Sequence, residues 1–144
     1  MARTPTSLDR VLAGVGTVLA WLPIAATLAT GIAGTIAARS LRVDFLMPAE
    51  LFFVYAVGAA LLGVAALRTR LRLGRLASWV ATALVGLVAA QGLAVLTGLA
   101  SGDAPAAGWR LALVLSMLAL YTVAVIMTGV EGVRLVRELR RGAT

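Results

Sequence analysis

The sequence predicts an all-α integral membrane protein: four transmembrane helices in an antiparallel up-down bundle, with both termini cytoplasmic. Three observations carry that expectation. The chain has 144 residues, of which 61% are hydrophobic and 13% charged, with a mean hydropathy of +1.00. Soluble domains hold about 25% charged residues. The uncharged runs are 17 to 28 residues long, whereas a spanning barrel strand needs only about 10 residues and alternates in polarity. No polar stretch is long enough for a separate soluble core. The chain therefore reads as one domain, 1–144, with helices over about 9–38, 48–67, 76–100 and 109–136 and a basic amphipathic tail over 134–144.

The first run, Val11–Ala38, follows a short polar lead in which Ser7 or Thr6 is placed to cap the helix and Asp9 suits its first turn. Its apolar part is too long for a signal peptide, so a retained helix is expected. Its 28 residues exceed a ~30 Å hydrocarbon core and call for tilting or bending. Pro23 supplies a place to kink, next to Trp21. Two small-residue rows lie side by side: Ala25, Ala29, Ala33, Ala37, and Ala26, Thr30, Gly34, Ala38.

A connection with Arg39, Arg42 and Asp44 leads to Pro48, which fits a helical first turn together with Glu50. The second run, Leu51–Leu67, carries Tyr55 and a short row of Ala59 and Gly63. Then comes RTRLRLGR, Arg68–Arg75, with four arginines in eight residues. The third run, Leu76–Ala100, repeats small residues at every fourth position: Ser78, Thr82, Gly86, Ala90, Ala94 and Gly98. Residues four apart share a helix face, which here becomes a groove for close helix packing. Beside it lies Gln91, the sole Gln of a chain without Asn. The turn-rich SGDAPAAG follows. The fourth run, Leu111–Val130, has Tyr121 at its centre and leads into RLVRELRR. There Glu131 is spaced to pair with Arg134, and Arg134 with Glu138.

All thirteen basic residues are arginine, against six acids. Ten lie at the N-terminus, in 68–75 and in the C-terminal tail; Arg39, Arg42 and Arg110 fall on the other side. That bias places both termini in the cytoplasm of a multi-pass cell-membrane protein. Anionic lipid headgroups are the expected counter-charge, met by Arg68, Arg70, Arg72, Arg75, Arg137, Arg140 and Arg141. Nucleic acid is not expected, since no aromatic residues interleave with the arginines.

Cys and His are absent. This removes thiol chemistry, haem ligation through His, ordinary zinc sites and the usual general base. No cofactor, metal or catalytic residue is expected. The first helix has no acid after Asp9, unlike the embedded Glu of small multidrug transporters.

The expected function is that of a non-catalytic accessory or assembly subunit. It packs through small-residue helix faces, with other membrane helices of a larger complex or homo-oligomer as partners. The alternative is a small transporter or channel with a midplane polar site around Gln91 and Tyr121. Ligand or pathway candidates are Gln91, Tyr121, Tyr55, Trp21 and Glu131. Each has a plain structural reading beside it: an interhelical hydrogen bond for Gln91, to Tyr121, Thr27 or Thr30 at similar depth; hydroxyls onto backbone carbonyls or into the interface for the tyrosines; bend packing for Trp21; and an interfacial ion pair for Glu131.

Overall fold

The computed structural model describes residues 6–38, 49–101 and 108–141. They form four helices: α1 (Ser7–Ala38), α2 (Ala49–Thr69), α3 (Leu73–Leu96) and α4 (Gly108–Arg141). All four are long and apolar enough to cross a membrane. Arg3, the 39–48 connection with Arg39, Arg42, Asp44 and Pro48, and Asp103 lie outside the described residues. So do the side chains of Thr30, Ala33, Gly34, Ala37, Ala38 and Glu50.

Thr6 is the residue that caps α1. Its backbone N–H and hydroxyl both donate to Asp9 Oδ2, at 2.9 and 2.8 Å, and Asp9 N–H donates back to Thr6 Oγ1 at 3.4 Å. This reciprocal arrangement satisfies donors that a bare helix start leaves open. Helix α1 continues through Pro23, whose carbonyl accepts from the Thr27 hydroxyl at 2.8 Å.

Helix α3 is displaced from its expected limits. It begins at Leu73 and ends at Leu96, because Gly98 adopts a left-handed φ of 72° and turns the chain after Thr97. Helix α4 runs on through Arg141 without a break between span and tail.

Helix α1 packs along α2 and more lightly on α4, while α3 packs along α4. The contacts of α2 with α3 and α4 are smaller, and among the described residues α1 and α3 do not touch. Two apolar clusters result. One gathers Ala13, Ala20, Leu62, Ala65, Ala66, Leu76, Leu135 and Leu139; the other gathers Tyr55, Ala59, Ala83, Tyr121, Ala124 and Val125.

Among the glycines, the tightest backbone-to-backbone approach is made by Gly16 and Gly58. A Cβ on Gly58 would stand 2.8 Å from the Ala20 backbone nitrogen, and one on Gly16 would stand 2.9 Å from the Gly58 carbonyl oxygen. The expected four-residue rows are buried only in part. In α3 the buried positions are Leu76, Ala83, Gly86 and Ala90, a seven-three-four spacing. Ser78 is exposed and Thr82 is only half-buried. Their hydroxyls turn back onto the carbonyls of Arg75 and Ser78. In α1 the visible members of one row, Ala25 and Ala29, are exposed. A period of four drifts around a helix of 3.6 residues per turn, so a long row cannot stay on one contact face.

Candidate functional site

Two polar constellations are built into the fold. The first is an ionic layer where the start of α1, the end of α2 and the lower part of α4 meet. Asp9, buried to 2%, accepts from Arg68 Nε at 2.6 Å. Glu131, also 2% exposed, takes Arg72 Nη1 at 2.7 Å and Arg134 Nη1 at 2.9 Å. Arg72 Nε reaches Glu138 at 2.6 Å. One guanidinium thus holds two carboxylates that stand two turns apart on α4. The hydrogen bonds that Arg72 donates to Glu131 and then to Glu138 raise its pKa above the ordinary value.

The local backbone brings Arg72 inward. Arg70 and Arg72 both adopt left-handed φ values, 56° and 54°, which cost a non-glycine residue about 1 kcal/mol or more each. Charge-assisted hydrogen bonds contribute about 1.5–3 kcal/mol each, so the two carboxylates on Arg72 offset the strain. They also fasten the α2–α3 turn to α4.

The four arginines of the turn, all expected to meet headgroups, divide by partner within the protein. Arg68 and Arg72 are engaged with acids of the protein. Arg70 and Arg75 are exposed and carry no ion pair among the described residues. They line an open groove of about 510 Å³ with Arg72, Leu73, Gly74 and Glu138. In the tail, Arg137, Arg140 and Arg141 are exposed. The Glu131–Arg134 pair forms, while Glu138 goes to Arg72.

The second constellation is the buried hydroxyl–aromatic cluster. Tyr55 and Tyr121 meet edge to face, with centroids 6.5 Å apart and planes at 81°. The Tyr55 hydroxyl lies 3.1 Å from Thr128 Oγ1, and Thr128 donates to the Ala124 carbonyl of its own helix at 2.9 Å. Phe52 and Leu87 pack around the cluster. Trp21 sits half-buried against Gly129, where an added Cβ would fall 2.8 Å from its Nε1.

Gln91 belongs to neither group. It is exposed on α3. Gly86, five residues earlier, packs on the Tyr121 backbone. Five residues turn a helix by about 140° and advance it about 7.5 Å, which carries the amide away from Tyr121 and toward the end of α3. The structure therefore brings Tyr55 and Tyr121 together, and separates Gln91 from both. Of the other expected partners, Thr27 lies on α1, which does not touch α3 among the described residues, and the Thr30 side chain lies outside them.

The sequence reading missed the inward arginines and the bond between Tyr55 and Thr128. One signal was present: Glu131 and Glu138 are seven residues apart, two turns on one face, a spacing that offers two carboxylates to one cation. Among the described residues, no three His, Cys, Asp or Glu side chains are grouped to hold a metal ion.

Four helices of spanning length and apolarity define a multi-pass, all-helical membrane protein. Beyond that class, comparison with protein-family models, curated proteins and solved structures gave no match to this chain.

Proposed function

We propose that this protein is a non-catalytic membrane subunit, working as an assembly partner in a larger membrane complex or a homo-oligomer. The observation that carries the reading is the outward face of α3. Ala77, Ala81, Val85, Val88, Gln91 and Val95 are all exposed on it. Only 17% of the α3 window is buried, against 33% for α2. An open apolar depression of about 360 Å³, lined by Leu84, Val85, Val88 and Ala89, lies on this face. A primary amide beside such a surface gains from a partner helix that can hydrogen-bond it.

The orientation that goes with this reading has both termini cytoplasmic in the cell membrane. Its support is the ten-to-three distribution of arginines. The antiparallel up-down order is supported by the pairing of Asp9, at the start of α1, with Arg68, at the end of α2. Arg70, Arg75, Arg137, Arg140 and Arg141 are then the headgroup contacts. The transporter reading has less support, because Gln91 is exposed on α3 while Tyr121 is buried against Tyr55.

Native mass spectrometry of protein extracted gently from its own membrane tests the assignment. Co-purification with other helical chains, or with copies of itself, at a fixed ratio is expected. Gln91→Leu should loosen that association without unfolding the chain. A lone monomer under every mild extraction would sink the reading.

A further inference from the structure

The arginines of the α2–α3 turn divide by partner, and the division leaves a shaped, positively charged groove. Arg68 is spoken for by Asp9, and Arg72 by Glu131 and Glu138. Arg70 and Arg75, on either side of Arg72, have no acid within ion-pair distance among the described residues, and both line the groove. The one carboxylate lining it, Glu138, already accepts from Arg72. The groove thus carries uncompensated positive charge, and Arg72 keeps donors to spare, since a guanidinium offers five N–H groups and two are used.

We propose that this groove is a discrete binding site for one phosphate group, supplied by the headgroup of an anionic phospholipid. The guanidinium fork matches two phosphate oxygens at once, which a point charge cannot do. The position fits the source: α2 ends at Thr69 and α3 starts at Leu73, so the groove lies at the end of two spanning helices, where headgroup phosphates lie. Its volume of about 510 Å³ admits a headgroup. The ion pairs on Arg72 hold the turn in shape whether or not the ligand is bound. This inference rests on the reading that the turn meets anionic headgroups, and narrows it to one site.

The test is native mass spectrometry of the protein in neutral detergent, titrated with phosphatidylglycerol or phosphatidylcholine. One phosphatidylglycerol should bind in preference. Arg70→Gln and Arg75→Gln should each weaken it about tenfold, the scale of one lost charge-assisted hydrogen bond. Arg10→Gln, which removes an exposed charge elsewhere on the same side, should change it less than about twofold. If Arg10→Gln weakens binding as much as the groove variants, diffuse charge is responsible and the groove is refuted, while the headgroup reading stands. If wild type does not distinguish the two lipids, both fail. Displacement of phosphatidylglycerol by inorganic phosphate, but not by chloride at equal ionic strength, would keep the site and overturn the lipid as its source. Should a Gln variant not fold, Arg70→Lys and Arg75→Lys keep the charge without the fork and are expected to weaken binding in the same direction, to a smaller extent.

Discussion

The seam between α1 and α2 and the outward face of α3 are both lined by small and apolar residues, yet one is closed and the other open. At the seam, Gly16 and Gly58 let two backbones approach until a single added methyl would overlap main-chain atoms. On α3, Gly92 has nothing within 4 Å of the place its Cβ would occupy. Small residues permit close packing, but they do not cause it. What closes the seam is the combination of glycine on both helices with an ion pair, Asp9–Arg68, fixing their register at one end.

The sharpest way to break this contrast is to fill both surfaces. Gly58→Leu is expected to destabilise the protein by about 3 kcal/mol or more, because the clash is with backbone and cannot be relieved by a rotamer change. Gly92→Leu should leave the unfolding curve of the isolated chain nearly unchanged. Denaturation titrations in mixed detergent micelles would read both. Equal effects at the two positions would mean that the α3 face is closed in the isolated protein.

The next largest effect is expected in the ionic layer. Glu131→Gln keeps the shape but removes the charge shared by Arg72 and Arg134. Arg72 retains Glu138 and is part-exposed, so the loss should fall below the 3–5 kcal/mol of a fully buried pair, at about 2 kcal/mol. Thermal melts would show it, and Glu138→Gln should cost less, because Glu138 is itself part-exposed. A Glu131→Gln variant as stable as wild type would show that Arg72 is held by Glu138 alone.

How much of this was legible beforehand follows from the same contrast. Helix number and type could be read because uncharged runs of spanning length leave few alternatives. Tyr55, Tyr121 and Glu131 were picked out as rare polar groups in apolar helices, and all three prove buried. Which face of α3 packs could not be read, because core-facing and lipid-facing positions are equally apolar in a membrane and the usual polar stripe is missing. Gln91 stood out for the same rarity as the tyrosines, yet it faces outward. The inward turn of Arg68 and Arg72 depends on acids 59 and 66 residues away, and counting arginines per loop cannot see such partners.

The smallest expected effect separates hydrogen bonds that join helices from those that do not. Tyr55→Phe removes the hydroxyl that lies 3.1 Å from Thr128, across α2 and α4, and leaves the edge-to-face contact with Tyr121 in place. Bonds of this kind contribute about 0.6 kcal/mol on average. Ser116 offers the comparison, since its hydroxyl is exposed and donates at 2.7 Å to Ala112 in its own helix. Ser116→Ala removes a bond that also forms in an isolated helix, so folding gains nothing from it, and the unfolding curve should not move. A loss on Tyr55→Phe and none on Ser116→Ala would locate the polar contribution to stability between helices. The reverse order would mean that the tyrosine hydroxyl is as well served in the unassembled helix, and that the α2–α4 contact is held by ring packing alone.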